Sequence, residues 1–569
     1  MSAWSHRAAD DGLARRIAAA LGVSEPLAHA LARAFSDEAE AERHLRPQLA
    51  HVSDPFAVGG LRDAAERLVR ACRDGERIAV LGDYDVDGVS STAMLVHFLR
   101  RLGATPEAFV PRRMEEGYGL SMAALERALA EARPSLFVAL DCGTNSAAEV
   151  GRLRAAGVDV LVVDHHVAKE TRASCTLVNP RVNDPADAPW QSLCTAGLVF
   201  KLIHGVLKVL RLEGDSRGSV IAVRDYLDLA ALGTIADLVP LRSENRILAA
   251  HGLRALGEAR RPGVRALISV SGMEPGGVLT SVDVSYRLGP RINASGRLAD
   301  AALPLRLLLS ESHDDCLRDA AELDGLNRER QEIDRKVTEE AALQAAQHGG
   351  AGCVVFGDWH PGVVGIAAGK LCRSLNRPVI VLGREGDGAK GSGRSVPGVN
   401  LVEVLAACSD LLRTHGGHPM AVGVSLEADK VPAFRERFAA AVEAQRAASG
   451  GDEASLRDIE IAHWISPADV TDRLFDDLEL LQPFGEGNPE PVFGLKGVTF
   501  DRAPTVFGEG NFRHQLSLGG GRRLSFVAWR MADRQPPVSR PVELAVRLQW
   551  NRWQGRRIPQ AEVLDWRLA

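Results

Sequence analysis

The sequence predicts an α/β protein with two α/β domains joined by a long helix and followed by a β domain. Three observations carry that reading. From Ile78 onward, short apolar runs bounded by Gly or Asp alternate with helical stretches, the mark of strands buried on both faces of a parallel sheet. Residues 302–347 have no Pro after Pro304, a single Gly (Gly325), and many Glu, Arg, Ala and Leu, a helix-forming composition. Near the end, Val542-Glu543-Leu544-Ala545-Val546-Arg547-Leu548 approaches the alternation of a half-buried strand.

In chain order, residues 1–50 read as short amphipathic helices rich in Ala, Leu and Arg. Strands are expected at 78–81, 136–140 and 160–163, and helices at 91–102, 197–210 and 223–232, which together make a first domain over 51–300. The connecting segment 301–347 is expected as one long or twice-broken helix. Strand signals return at 352–356 and 378–382, giving a second, smaller α/β domain over 348–449. A polar turn at 450–453 leads into a Trp- and Arg-rich β domain over 455–569. No solenoid repeat or low-complexity segment interrupts this order.

Composition narrows the class. With 569 residues, 46% hydrophobic and 25% charged, the chain is a folded protein of several domains. It has no apolar run able to cross a bilayer and no secretory h-region at its N-terminus. Its eight cysteines show no CxxC spacing, which argues against a zinc ribbon or disulfide framework and for a reduced, cytoplasmic compartment. The net charge of −6 hides a local field, since residues 501–569 hold twelve Arg against six acidic residues. Affinity for nucleic acid follows the local patch.

The chemistry lies in four segments, each beside an apolar run: LGDYDVDGVSST (81–92), VALDCGTNS (138–146), VLVVDHHVA (160–168) and ALGTIADLVPL (231–241). The carboxyl ends of parallel strands form the usual ligand crevice. Asp83, Asp85, Asp87, Asp141, Asp164, His165, His166 and Asp237 are therefore expected to meet there as the catalytic set. Asp83, Asp85, Asp87, Asp141, His165 and Asp237 are the expected metal ligands. So many carboxylates repel one another unless cations intervene, and oxygens with a few imidazoles suit Mn²⁺ or Mg²⁺. Two such ions about 3.5–4 Å apart serve in-line phosphoryl displacement. The plainer reading makes each Asp a helix N-cap and the His pair structural. A calcium loop fails because Met94 stands where its twelfth-position Glu belongs. Joint occurrence at four strand-end sites favours the metal reading.

Asp164-His165-His166 after an apolar strand resembles the signature of the DHH phosphoesterase family, and DYDVDG, LDCGT and GTIADLVPL resemble its other metal motifs in order. Within that family, EGYGL (116–120), GPRINASGRLAD (289–300), WHPGVVGIAAGKL (359–371), GSGRSVPGVNL (391–401), HGGHPMAVG (415–423) and LQPFGEGNPEPVF (481–493) resemble the RecJ branch, over roughly residues 50–569. One departure is Leu81, where relatives carry a His, which leaves Asp83 as the substitute ligand. The resemblance implies a DHH domain, a long helix, a DHHA1 domain and an OB-fold β-barrel arranged around a central hole or cleft. It implies 5′→3′ hydrolysis of single-stranded DNA to mononucleotides in repair and recombination, with two Mn²⁺ or Mg²⁺ ions per active site. It also implies a monomer without membrane attachment, with a single-strand-binding protein and a helicase as candidate partners. Rival readings are a compact DHH hydrolase of oligonucleotides, cyclic dinucleotides or pyrophosphate, and a scaffold that has lost catalysis.

The substrate side is less specific. GSGRS offers glycine-exposed N–H groups, the hydroxyls of Ser392 and Ser395, and the Arg394 guanidinium, a set suited to a terminal phosphate, although Gly-Ser-Gly-Arg is commonly a plain loop. His418 stands on a Gly-Gly turn that allows close approach to a ligand. The resemblance places both segments across a cleft from the metals, holding the DNA end. Arg291, Asn293 and Arg297 are further candidates, or a solvated turn with a helix cap. His360 contacts substrate or caps the helix after it. Trp529, Trp550, Trp553 and Trp566, half of the eight Trp, interleave with Arg523, Arg530, Arg547, Arg552, Arg556 and Arg557. That pattern suits a single-strand-binding OB barrel, with Trp529, Trp550 and Trp553 as stacking candidates and some Trp residues packing in the core.

Overall fold

A computed structural model describes residues 3–112, 115–117, 119–169, 173–298, 301–448, 458–519, 522–553 and 556–569, leaving out the side chains of residues 297, 298, 519 and 553. The 450–453 turn and the side chains of Arg297 and Trp553 thus lie outside the described residues. The chain divides into two compact units, one of residues 6–324 with 460–569, the other of 325–459 with 1–5.

In the larger unit, five parallel strands run in the order Glu107–Phe109, Ile78–Gly82, Leu136–Leu140, Asp159–Val163, Thr176–Val178. Every residue of Ile78–Gly82 and Leu136–Leu140 is buried, as apolar runs without alternation require. The register pairs Gly82 with Leu140, Leu140 with Val163, and Val163 with Val178. The residues one step further on are Asp83, Asp141, Asp164 and Asn179. Their side chains therefore begin from one line along the carboxyl edge. Helices Val86–Arg101, Thr195–Leu212, Leu227–Ala236 and Ser243–Glu258 pack beside this sheet and on one another.

The same unit holds the C-terminal β domain, ordered Ile459–Ile465, Val492–Thr499, Pro541–Trp553, Arg556–Leu568, Arg522–Ala528, Asn511–Gly519, Thr505–Phe507. Residues from strands far apart in that order, such as Ile465, Phe493, Phe512 and Phe526, share one core. That core also takes in Leu13, Ile17, Leu27 and Leu31 of the first two helices. The N-terminal helices are therefore part of the C-terminal domain's core, which the sequence reading treated as a separate segment. Polar contacts fix the docking. Ser24 N donates to Asp477 at 2.6 Å, and Arg33 reaches Glu460 and the Ile461 carbonyl.

The connecting segment is broken once, into Leu303–Leu309 and the 35-residue helix His313–Gln347. In the smaller unit the sheet runs Thr414–His418, Ala421–Glu427, Gly388–Arg394, Val379–Glu385, Cys353–Gly357. Only the last pair is parallel, and the other pairs are antiparallel. The GSGR of the GSGRS segment, which as a plain loop would have stood free, is thus the C-terminal half of the central strand, with Ser395 just past its end. A Cβ on Gly391 would lie 2.0 Å from the Val381 carbonyl oxygen, so a bare backbone is what lets these strands approach.

Arg246 ties three segments of the larger unit together. It is 1% exposed. It donates to the His44 carbonyl and, at 3.0, 3.1 and 3.4 Å, to those of Leu480, Gln482 and Pro483. Burial pushes its pKa down to about 10. A buried acceptor left without a donor costs about 1–3 kcal/mol, and Arg246→Ala would orphan several. Chemical denaturation of Arg246→Ala should show a loss of about 3 kcal/mol or more. A loss under about 1 kcal/mol would mean that the clasp contributes little.

Candidate active site at the carboxyl edge of the parallel sheet

Strand ends deliver Asp83, Asp141 and the Asp164–His166 segment, and helices deliver Asp87 and Asp237. Asp83 accepts from the Tyr84 N–H at 2.8 Å, and burial together with Asp85 pushes its carboxyl up to about 6. Asp85 is the N-cap of Val86–Arg101, accepting from Gly88 N at 3.0 Å. The plain capping reading therefore holds for this residue. Asp87, one turn in, is buried. Its two oxygens accept from the N–H groups of Thr195 and Ala196, both at 2.8 Å, the first turn of helix Thr195–Leu212. Helix N-termini favour anions in this way. Burial and Asp85 still raise the Asp87 carboxyl to about 6.

Asp141 has φ +62°, a left-handed conformation that non-glycine residues adopt at a cost, chiefly at functional sites. Its N–H donates to the Val163 carbonyl at 3.0 Å, and its Oδ1 accepts from the Thr195 hydroxyl at 2.9 Å. Burial, then Asp87 and Asp85, hold its carboxyl well above the usual range. Asp237 caps the C-terminal end of Leu227–Ala236, and burial with Asp87 raises it to about 8.

The His pair divides the work. His165 Nε2 lies 3.4 Å from Asp141, 3.5 Å from Asp237 and 3.9 Å from Asp87. Burial and the neighbouring His166 lower it to about 4, so the imidazole is neutral near pH 7. Its Nδ1 is buried without a hydrogen-bond partner among the described residues. His166 meets Asp164 through Nδ1 at 2.8 Å, and that bond raises it to about 9 against the effect of burial. Asp164 also accepts from Thr144 N at 3.0 Å, His165 N at 2.8 Å and His166 N at 3.1 Å. Burial is the largest single influence and opposes its charge, yet the His166 side chain and the bonds from Thr144 and the His166 N–H together outweigh it, and the carboxyl stays below its ordinary value. The oxygens of Asp164 are thereby committed to orienting the His pair.

Two groupings bring ligand atoms within 4.8 Å of one another, Asp87–His165–Asp237 and Asp141–His165–His166. They share His165, and its neutral imidazole with the hard carboxylate oxygens is a donor set suited to Mn²⁺ or Mg²⁺. Carboxyls whose ionisation is suppressed by burial and by one another are what bound cations would relieve. Asp83 and Asp85 fall outside both groupings. Leu81 packs into the sheet core.

Family models match in the order of the sequence motifs: the DHH family N-terminal domain over 77–234, the DHHA1 domain over 349–444 and the RecJ OB domain over 461–565. The single-stranded-DNA-specific exonuclease RecJ of Bacillus subtilis is 34% identical, covering 99% of this chain and 71% of its own. That of Escherichia coli is 35% identical over 88% and 89%. The chain belongs to the RecJ family. Its fold also matches the crystal structure of RecJ in complex with Mn²⁺ from Thermus thermophilus, with TM-score 0.83 and 31% identity over 100% of this chain and 80% of that one.

Among the RecJ-like substrate segments, several expectations change. GPRINASGR is a helix, Gly289–Leu298, rather than a turn. Arg291 is engaged by Asp324 at 3.0 Å and the Arg287 carbonyl at 2.7 Å, so it braces helices and has little left for a ligand. Asn293 Oδ1 is buried without a partner among the described residues. The GSGRS backbone is bonded to strands on both sides, so the expected free N–H groups are not on offer. The Ser395 hydroxyl donates to Val399 O at 2.7 Å in a buried turn, which removes it as a phosphate contact.

Ser392 and Arg394 do share one face. A Cβ on Gly365, in the first turn of helix Val364–Leu375, would lie 3.3 Å from Ser392 Oγ and 3.7 Å from Arg394 Nη2. His360 is exposed, and its Nδ1 accepts from Gly362 N at 3.1 Å, closing the turn before that helix. His418 ends the exposed edge strand Thr414–His418 and pairs with Ala421; its Gly-Gly is strand, not turn.

In the RecJ OB domain, Trp529 is 53% exposed and lies edge-on to Phe507 at 5.9 Å. Trp550 instead donates to Asp476 at 2.9 Å, between the Phe475 ring at 5.1 Å and the Arg557 guanidinium at 4.4 Å. It is a packing residue, not a free stacking platform.

Thr195 was missed. It follows a cysteine at the start of an apolar helix, where only its hydroxyl hints at a polar role. Groups that orient metal ligands typically account for 10–100-fold in metal affinity. Titration with Mn²⁺ should show binding to Thr195→Val weakened about tenfold or more, with Thr195→Ser close to wild type and the thermal melt unchanged. Unaltered Mn²⁺ affinity in Thr195→Val would sever Thr195 from the site.

Proposed function

We propose that this chain is a metal-dependent, single-stranded-DNA-specific exonuclease that hydrolyses terminal phosphodiester bonds in the crevice of Asp87, Asp141, His165 and Asp237. The observation that carries the reading is the meeting of these four side chains around His165 Nε2. They would hold two divalent cations, with His165 common to both groupings. When bound, such ions lower the pKa of a coordinated water and offset charge on the phosphoryl oxygens.

The chain's own residues do the rest. Asp164 and Thr195 hold His166 and Asp141 in place, so the ligands need little rearrangement on each turnover. The half-exposed His166 ring offers a donor to a phosphate oxygen at the mouth. Catalysis is assigned to 51–300, end binding to 348–449 and strand capture to 455–569 with the N-terminal helices that share its core. Polarity is 5′→3′, with mononucleotide release, and rests on the family. The Ser392–Arg394 face supports it as a place for a 5′-phosphate. The enzyme would act as a cytoplasmic monomer beside a single-strand-binding protein and a helicase, in repair and recombination.

The test uses end-labelled oligonucleotides, single- and double-stranded, with a 5′-phosphate or a 5′-hydroxyl, in Mn²⁺, Mg²⁺ or EDTA. Stepwise shortening of single strands from the 5′ end, abolished by EDTA, is expected. A charge-assisted Arg–phosphate contact contributes about 1.5–3 kcal/mol. Arg394→Ala should therefore lose roughly ten- to hundredfold more activity on the 5′-phosphate strand than on the 5′-hydroxyl strand. Equal cutting of duplex, or internal cuts, would overturn the exonuclease reading, and equal losses would remove Arg394 from the end site.

A further inference from the structure

Of the five strand ends at the carboxyl edge of the parallel sheet, the metal motifs use three, leaving those of Glu107–Phe109 and Thr176–Val178. Strand Thr176–Val178 lies beside Asp159–Val163 and leads into Asn179, which is buried. The Asn179 amide donates to the His166 carbonyl and to the Thr144 hydroxyl, both at 2.9 Å. Its Oδ1 accepts from Arg181 N at 3.0 Å and caps the short helix Pro180–Asn183. The far end of that helix is tied as well. Asn183 donates to the Leu177 carbonyl at 2.6 Å, and Asp184 accepts from Gly59 N at 3.0 Å.

A backbone pinned at both ends thus carries Arg181, whose side chain is exposed. Several arginines around this sheet are neutralised: Arg67 by Glu76 and Asp159, Arg101 by Asp225, Arg127 by Glu116, Arg261 by Asp228. For Arg181, no carboxylate lies within ion-pair distance among the described residues. Its charge does reach the crevice, where it acts on both His165 and Asp237. An exposed guanidinium on a pinned backbone, without a carboxylate partner among the described residues, suits a phosphate diester at the rim of an acidic crevice, which it can bind through two parallel N–H groups.

We infer that Arg181 clamps a backbone phosphate of the single strand at the mouth of the metal crevice, resting on the nuclease reading above. It is a contact made equally in ground and transition states. Its loss therefore raises KM and leaves kcat nearly intact. Each phosphate contact on a single strand contributes about 0.7 to the slope of log affinity against log salt.

The experiment compares wild type, Arg181→Ala and Arg181→Lys, all checked for an unchanged melt, on a single-stranded oligonucleotide in Mn²⁺. Binding of the same strand in EDTA is measured at several salt concentrations. A second series replaces one phosphate at a time by a neutral methylphosphonate. Arg181→Ala should raise KM about tenfold and flatten the salt slope by about 0.7, with Arg181→Lys restoring the slope. One methylphosphonate position should cost wild type affinity and cost Arg181→Ala nothing further. Unchanged KM and slope would overturn the clamp. A fall in kcat with a shifted pH profile and an unchanged slope would also overturn it, assigning Arg181 to tuning His165 and Asp237 instead. Wild type that binds the strand but does not cleave it would sink the nuclease reading alone, since the salt slope still reports the contact.

Discussion

The constraint on which the rest of this structure depends is mutual repulsion among carboxylates gathered at one sheet edge. Asp87 and Asp141 are each about 2% exposed or less, and burial first, then neighbouring carboxylates (Asp85 throughout, with Asp87 acting on Asp141 and Asp237), raises the pKa values of Asp83, Asp87, Asp141 and Asp237. A protein can bring such groups together only if something opposes the repulsion. Part of the opposition is built in. The first N–H groups of helix Thr195–Leu212 take both oxygens of Asp87, and His166 neutralises Asp164. What remains at Asp141 and Asp237 is left for cations, and this residual repulsion gives the site its appetite for metal.

The convergence itself was legible from residues because it follows from topology. Parallel strands with matched register end on one line, so Asp83, Asp141 and Asp164 arrive at the same edge, whereas Asp237 is brought there by the end of helix Leu227–Ala236. What was not legible depends on partners distant in sequence. Thr195 is polar chemistry only because its helix points at Asp87 and Asp141, which no local pattern reveals. Arg291 and Trp550 carried the right chemical groups, but Asp324 and Asp476 had already engaged them. GSGRS misled for a different reason. Glycine is rare inside strands, yet here it lets the central strand pack where a Cβ would meet the Val381 carbonyl.

The N-terminal helices teach the same lesson at larger scale. Their amphipathic pattern was plain, but their partner lies at the other end of the chain, in the core with Phe475 and Phe493. Arg246 extends that union into the helices beside the metal sheet, through carbonyls at His44 and Leu480. The consequence for function is that the β domain to which strand capture is assigned and the carboxylate crevice belong to one compact unit. Removing either end of the chain would strip apolar surface from the other, so the contributions of these segments are best separated by point substitutions such as that at Arg181.

The most direct measurement of the central claim is single-turnover cleavage of a 5′-phosphorylated single strand by Asp141→Ala at saturating Mn²⁺, alongside its DNA affinity. Loss of a ligand should remove charge stabilisation worth several kcal/mol in the transition state. The account predicts cleavage reduced by about a thousandfold or more, with affinity for the strand within a few-fold of wild type. Substantial cleavage by Asp141→Ala would contradict it, because the carboxylate crevice would then not be where the chemistry occurs.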